Sequence, residues 1–572
     1  MNGDKIFDPC SVARIFNRFY TSVASNLVSR LPSPYGIYHT TSSAFKDFYT
    51  RRLGLRSHFT LSPVSRHFVI TQLKALDPKK AIGLDNLSSF FLRDGADSIA
   101  VPVMHIINMS VLTETVPESF KEARVVPLFK KGSKLDPGNY RPVSILNVLS
   151  KLLERAVHTQ LGEYLEKRDL LFLNQSGFRG GFSTDTSLTG LSDFVKKEIG
   201  KENCVGMVLI DLQKAFDTVD HDILIAKLHA AGVDDTLWFR SYLTNRRQCV
   251  DIGGTRSEFL PISCGVPQGS ILGPLLFLVY INDMSMSLNC MLSLYADDSA
   301  LLFSHRDSLV IAERLSIELT ACKKWLVDNR LSLHVGKTES ILFGSGRRLK
   351  GVGDFTVYCD GMPVQRNFEV KYLGVLLDDR LTGSAHVSNM LKSCMGRLSF
   401  LYRNSSFLDF YCRKLLCSSL IQPYLDYCSS SWYSGISAQL RSRLDVLQRK
   451  MARFIFGFDY RSHIGNSELR TLSWLTVPDR VNYFKLIQLF KIRLGSAPRY
   501  LLSDFKLVSE SHIHATRGSR FNYHVPKFLA LAPTTFSFTV IKQWNCLPTF
   551  LKEQVSLPSF KRKLKEYLLS RY

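Results

Sequence analysis

Several hydrophobic patterns recur along the chain, and they predict different elements. Val205-Gly206-Met207-Val208-Leu209-Ile210 is a continuous apolar run, the pattern of a strand buried on both faces. Met291-Leu292-Ser293-Leu294 and Ala300-Leu301-Leu302-Phe303 flank Tyr295-Ala296-Asp297-Asp298, which predicts a tight hairpin with two carboxylates at its tip. The stretch from Ile271 to Ile281 is apolar but interrupted by Gly273 and Pro274, as expected for a bend followed by a packed helix. Leu440, Leu444, Leu447, Met451 and Phe454 recur at helical spacing, with Arg441, Arg449, Lys450 and Arg453 on other faces. A last helix sets Phe560, Leu564, Tyr567 and Leu568 on one side and Lys561, Arg562, Lys563 and Lys565 elsewhere. Residues 1–75 read as mostly helical and polar, with loops around Pro32-Ser33-Pro34-Tyr35-Gly36.

Chemistry concentrates at the ends of the strand-like runs. The first run delivers Asp211 at its C-terminal end, and the hairpin delivers Asp297 and Asp298. Adjacent carboxylates at a turn are costly unless a divalent cation neutralises them. Asp-Asp also occurs at 234–235 and 378–379, but only the 297–298 pair has an aromatic residue two positions earlier and apolar runs on both sides. Three such carboxylates can hold two Mg²⁺ about 3.5–4 Å apart, which suits nucleotidyl transfer. Between them lies Cys264-Gly265-Val266-Pro267-Gln268-Gly269-Ser270, a loop that its Pro and paired Gly bend into close backbone contact with something bulky.

This series resembles the palm of a reverse transcriptase: Asp211 with Ala215-Phe216-Asp217, then Pro267-Gln268-Gly269, then Tyr295-Ala296-Asp297-Asp298. More narrowly it is similar to the polymerases of non-LTR retrotransposons of the LINE type, near the jockey-like branch. Ala81-Ile82-Gly83-Leu84-Asp85 is similar to that family's N-terminal extension motif. Val125 to Gly132, Asn139 to Ser144 and Gly177 to Thr184 resemble its fingers. Lys337-Thr338-Glu339 and Tyr372-Leu373-Gly374 resemble the last palm motif and the primer grip.

The resemblance implies an α+β right-hand polymerase, with fingers, an antiparallel palm sheet, and a helical thumb and C-terminal region. It implies residues 1–75 as a helical extension, 76–380 as fingers and palm, 381–470 as a basic helical thumb-like region and 471–572 as a basic C-terminal region. Asp211, Asp297 and Asp298 match the metal-binding carboxylates, the second hairpin Asp being often less critical in the family. The carbonyl of Leu212 would complete one ion's coordination; the ions are two Mg²⁺, with Mn²⁺ an alternative. Phe216 matches the bulky residue under the incoming sugar that excludes a 2′-OH, its competing reading being a core Phe on a helix after the strand. Gln268 matches the residue touching incoming nucleotide and template. Arg141 matches the fingers arginine on the triphosphate, a task for a planar guanidinium, assisted by one of Lys130, Lys131 and Lys134. Lys337 matches a lysine near the leaving pyrophosphate, although His334 stands where the family has Asn. Gly269, Tyr295, Tyr372, Leu373 and Gly374 match positions along the nucleic acid.

Charge distribution changes the picture further. Residues 381–572 carry 28 Lys+Arg against 10 Asp+Glu, a net of +18 of the chain's +23. Such a basic last third is the electrostatic footprint of a nucleic-acid grip, with Arg449, Lys450 and Arg453 as candidates. No apolar stretch reaches the roughly 18 residues of a membrane span. The start, Met1-Asn2-Gly3-Asp4-Lys5, has no signal-peptide pattern. Twelve scattered cysteines without a Cys-x-x-Cys pair read as reduced, mostly buried thiols. An intracellular protein without a membrane is expected, and the resemblance implies a cytoplasmic ribonucleoprotein or the nucleus, with RNA template, DNA primer or target, and dNTPs as partners.

Residues 1–75 are too short for the family's leading endonuclease. Pro478-Asp479 is followed by no acid until Asp504, and residues 466–572 hold six scattered carboxylates. Neither a restriction-like nuclease nor RNase H is expected there, so a separate endonuclease would supply the nick. The alternative is an inactive or host-adopted nucleic-acid-binding remnant. Phe216 and Tyr-Ala-Asp-Asp in place of Gly-Asp-Asp disfavour an RNA-dependent RNA polymerase.

Overall fold

In the computed structural model, which describes residues 7–31, 43–53, 58–353, 355–510, 520–525 and 534–572, the run at 205–210 lies within the strand Cys204–Ile210. The loop expected around Pro32 to Gly36 and the start Met1 to Lys5 lie outside the described residues. The chain divides into two units. One comprises Met1–Phe178, Asp211–Asn289 and Thr320–His334, the other Arg179–Ile210, Cys290–Leu319 and Val335–Tyr572.

Cys204–Ile210 is the central strand of the second unit's five-stranded sheet, between Glu339–Phe343 and Asp298–His305. Met291–Tyr295 forms one edge and the two-residue strand Gln365–Arg366 the other. All pairs are antiparallel except that last one. Alternation explains why the central strand is apolar throughout. Val205 and Met207 join Leu188, Leu191 and Val195 of the helix Thr184–Gly200 in one core. On the opposite face a Cβ at Gly206 would lie 2.6 Å from Leu315 and collide with Ile311. Only glycine lets the helix carrying those two residues approach so closely.

Downstream, the helices Ser384–Arg403, Phe410–Leu420 and Ala438–Phe456 pack together. The apolar stripe expected on the last of them, Leu440, Leu444, Leu447, Met451 and Phe454, is buried in the same core as Leu391, Leu398 and Cys417. Farther along, Val477–Arg493, Phe536–Asn545 and Leu557–Leu569 build a separate core in which Phe490 stacks on Phe560 at 4.1 Å. Charge is buried here too. Asp193 accepts the backbone N–H groups of Phe536 and Ser537 at 2.6 and 2.9 Å, capping that helix. Lys196 donates to the carbonyls of Thr534 and Ser431, and Lys485 to the hydroxyls of Ser434 and Thr539.

The first unit holds a mixed sheet. Its strand Glu122–Phe129 pairs antiparallel with Tyr140–Ile145 and parallel with Arg246–Ile252. The helix Pro9–Val28 covers it through Ala13, Phe16 and Tyr20, packed with Val125 and Val250. The helix Gly273–Ile281 is apolar all round because almost every side chain on it is buried. Beside it Lys227 and Asp283 form a buried pair at 2.6 Å; Lys227 also donates to the Tyr280 carbonyl and Asp283 accepts from Trp325. Those extra bonds are what make such a pair tolerable without water. Among the described residues no helix is long and apolar enough to cross a membrane.

Burial, with the Lys196 charge adding to it, pulls the Lys485 ammonium down to about 7 from an ordinary 10.5. Between those values the unfolded chain binds the extra proton, so stability rises with pH. The parent protein should therefore gain thermal stability from pH 7 to 9.5 relative to Lys485→Met. Thermal midpoints of both proteins across that range check this; parallel curves would exclude it.

Candidate active site

The acidic hairpin forms as its sequence predicts. Tyr295 and Asp298 are cross-strand partners, which leaves Ala296 and Asp297 as a two-residue turn. Ala296 takes φ +57°, the sign that two-residue hairpins need at that position. A residue with a Cβ holds it at a cost on the order of 1 kcal/mol. Asp298 is exposed and Asp297 half-buried. Within the same sheet Ile210, which precedes Asp211, pairs with Ser299, which follows Asp298.

From Asp211 the chain has left that sheet and belongs to the first unit. Leu212 bridges Leu333, flanked by bonds from the His334 N–H to the Asp211 carbonyl, 2.8 Å, and from the Gln213 N–H to the Ser332 carbonyl, 2.9 Å. In such an antiparallel pair the central residue turns its own N–H and C=O the other way, so this bridge leaves the Leu212 carbonyl unused. No helix follows. Lys214 takes φ +49°, the segment turns, and Phe216 is fixed by its neighbours rather than by a helix. Its ring stacks on Phe277 at 4.3 Å and meets the edge of Phe178 at 6.1 Å, and it remains half-exposed.

The Pro-Gln-Gly loop is interlocked with this segment. Val266 and Gly265 donate to the carbonyls of Phe216 and Val219 at 2.9 and 2.7 Å. The Gln268 side chain donates to Asp217 at 2.8 Å, while its carbonyl accepts from the Ser144 N–H at 2.8 Å. Gly269 has φ +137°, and a Cβ there would collide with the Ser144 carbonyl oxygen. That is the close backbone contact the loop's composition predicts, and the bulky object is the Tyr140–Ile145 strand. Arg141 is exposed on this strand, opposite Leu128. Lys130, Lys131 and Lys134 are exposed nearby in sequence, Lys134 over the Phe129 ring.

Residues 129–377 match the family model described as reverse transcriptase (RNA-dependent DNA polymerase). They are a reverse transcriptase domain. Among curated proteins the chain is 30% identical over 456 residues to the probable RNA-directed DNA polymerase from transposon BS of Drosophila melanogaster, covering 75% of this chain and 48% of that protein. It is 29% identical over 412 residues to the RNA-directed DNA polymerase from mobile element jockey of the same fly, covering 69% and 44%. A Pol polyprotein of the retrotransposable element R2 from Popillia japonica is 25% identical over 232 residues, 40% of this chain and 31% of that protein. The likeness is thus to jockey-like non-LTR elements, and the chain spans about half the length of the curated relatives it matches most fully.

Other sequence-predicted positions of the reverse transcriptase domain have clear local settings. Tyr372 and Val375 close a hairpin whose two loop residues, Leu373 and Gly374, have φ +45° and +83°, the signature of a type I′ turn. Tyr427 donates to the Leu373 carbonyl at 2.7 Å and its ring fills the space where a Gly374 side chain would stand. The buried Tyr372 hydroxyl lies 3.3 Å from Ser293, and burial pushes it up to about 12. Tyr295, half-buried one turn residue before the carboxylates, is likewise raised by burial first. Lys337 is exposed at the end of a short turn, Val335–Lys337. Downstream of the matched domain, Arg449 is exposed and Lys450 half-buried, but Arg453 is held by a 2.7 Å bond to the Ser462 carbonyl.

Among the described residues no three His, Cys, Asp or Glu side chains gather closely enough to hold a metal ion. As a donor set, Asp211, Asp297, Asp298 and the Leu212 carbonyl are hard oxygens, the chemistry Mg²⁺ and Mn²⁺ select. Two residues escaped sequence reasoning. Asp217 anchors the Gln268 amide, its carboxyl raised by burial against that bond. Tyr20, from the N-terminal helix, lines a cavity of about 60 Å³ with Asp217 and Gln268. The first carried a signal in its place beside Phe216; the second had none, because 248 residues separate it from Gln268.

Gly269→Ala should destabilise the domain by about 1–3 kcal/mol, since it adds a clash to a conformation that L-residues avoid. Gly180→Ala, whose Cβ would meet nothing within 4 Å, is the control. Denaturant midpoints of both variants measure the difference.

Proposed function

We propose that this chain is an RNA-directed DNA polymerase of a non-LTR retrotransposon, adding dNTPs to a primer 3′-OH on an RNA template. The observation that carries the reading is the two-residue Asp297 hairpin, set in register beside the strand that ends one residue before Asp211, within a matched reverse transcriptase domain. Residues 76–380 act as fingers and palm, 381–470 as a thumb-like region and 471–572 as a basic C-terminal region, with 1–75 a helical extension.

Asp211, Asp297 and Asp298, with the Leu212 carbonyl, would hold two divalent ions. When bound, such ions acidify the primer hydroxyl and offset charge on the leaving pyrophosphate. The protein's own groups do the positioning. Arg141 reaches the triphosphate as a bidentate donor, and Lys337 stands at the leaving group. Asp217 fixes the direction of the Gln268 amide, so the remaining oxygen of that amide faces nucleotide and template. Phe216, wedged by Phe277 and Phe178, cannot retreat from a 2′-OH and so selects dNTPs. The Tyr372-Leu373-Gly374 turn, stiffened by Tyr427, holds the primer strand, Gly269 and Tyr295 line its path, and Arg449 and Lys450 contact phosphates, with Arg453 shaping their helix end.

Asp211→Asn and Asp297→Asn should abolish primer extension on an RNA template while RNA binding changes less than about twofold, because carboxylates that hold metal add nothing to phosphate affinity. Extension by Asp297→Asn at the parent rate refutes the assignment. Phe216→Val should lower the preference for dNTP over NTP by at least tenfold in the same assay. An unchanged ratio would make Phe216 a packing residue only.

A further inference from the structure

One end of the three-helix group in the second unit carries exposed aromatic rings that the polymerase reading does not use. The C-terminus of Ser384–Arg403, the turn Ser405–Phe407, the N-terminus of Phe410–Leu420 and the C-terminus of Ala438–Phe456 meet there. Arg413 ties them by donating to the carbonyls of Ser405 and Phe454 at 2.9 and 3.4 Å, and Tyr402 by donating to the Lys450 carbonyl at 3.2 Å. The rings at this end point outward. Phe407 is 87% exposed, Tyr411 78% and Tyr460 72%, with Phe400 more than half exposed.

These rings are not scattered. Tyr411, Phe410, Phe456 and Phe458 form a continuous ladder with successive centroid distances of 5.5, 5.6 and 5.1 Å, the last pair stacked. The ladder runs from one exposed ring through two half-buried ones to another exposed ring. Cations accompany it. Arg403 lies over Phe400 and Arg461 over Tyr460, at 6.0 and 5.1 Å. The acids at this end, Asp409 and Asp459, accept backbone N–H groups of Cys412 and Arg461, so their charge is partly spent on the fold.

Exposed apolar surface of this extent marks an interaction site, and charge decides the partner. Arg403 and Arg461 stand beside the rings while the two acids are turned to backbone N–H groups, so the face suits an anionic partner better than a second copy of itself. It also offers flat faces for stacking. Duplex nucleic acid hides its base faces, whereas an unpaired strand presents both phosphates and bases. We propose that this aromatic and basic tip binds single-stranded nucleic acid by stacking unpaired bases on Phe407, Tyr411 and Tyr460, separately from any grip on paired primer–template. The proposal rests on the polymerase reading only for the presence of nucleic acid.

The test uses the full chain and three probes: a 20-nucleotide oligo-U RNA, the matching oligo-T DNA, and a blunt 20-base-pair RNA–DNA hybrid. For the combined variant Phe407→Ala, Tyr411→Ala and Tyr460→Ala, affinity for the single strands should fall tenfold or more. Affinity for the hybrid, and extension of a primer–template with a short overhang, should stay within twofold of the parent. Loss with RNA alone assigns the site to the template strand, and loss with both assigns it to unpaired strands generally. Phe407→Trp, which keeps a stacking face, should bind like the parent. An equal loss on all probes, or none on any, overturns the proposal. So does lost binding to anionic phosphatidylserine vesicles with single-strand affinity intact. A parent that extends no primer would refute the polymerase reading and leave the tip to be judged by the binding data.

Discussion

If the strand Cys204–Ile210 slid by one residue against Asp298–His305, Val205 and Met207 would swing away from the helix Thr184–Gly200, and Val205 or Met207 would replace Gly206 beneath Ile311 and Leu315. Neither face could then close. A strand with both faces covered tolerates no slip, because side chains alternate with a period of two. That constraint fixes Ile210 opposite Ser299, and with it the point at which the chain releases Asp211 and the point at which the hairpin presents Asp297 and Asp298. These carboxylates inherit their register from apolar packing.

The same economy operates in the first unit, where Phe216 and Gln268 are held by backbone rather than by bulk. Phe216 sits on a turn, between the rings of Phe277 and Phe178. The loop that bears Gln268 is sewn to that turn by two backbone bonds and to the Tyr140–Ile145 strand by a third. Gly269 is required because the strand's carbonyl occupies the space of a side chain. A loop so tightly bonded gives a rigid platform for a side-chain amide, and Asp217 removes its remaining freedom.

The basic last third has two faces. Part of its charge serves folding. Lys485 is buried against hydroxyls, Arg480 pairs with Asp426, and Arg453 and Arg413 are spent on carbonyls. Other cations are left outside, Arg403 and Arg461 among them, beside exposed rings at the tip. Net charge counted along a sequence therefore overstates the number of cations available to a phosphate backbone, and only packing sorts one set from the other.

Much was legible in the residues alone. The apolar run at 205–210, the hairpin flanking Asp297, the packed helix after the Pro-Gln-Gly loop and the stripe from Leu440 to Phe454 all form as patterned, because burial demands periodicity and periodicity is local. The motif order from Asp211 to Gly374 was enough to single out the reverse transcriptase domain. What the sequence could not contain were relations between distant segments. Phe216 keeps a competing reading as a helical core residue until Phe277, Phe178 and a left-handed Lys214 show that it lies on a turn. Asp217 gains its part through Gln268, 51 residues away, and Tyr20 through a helix folded back onto the first unit's sheet. Local patterns determine which elements form; only tertiary structure decides which side chains meet, since a hydrogen bond or a stacked ring leaves no period behind in the chain.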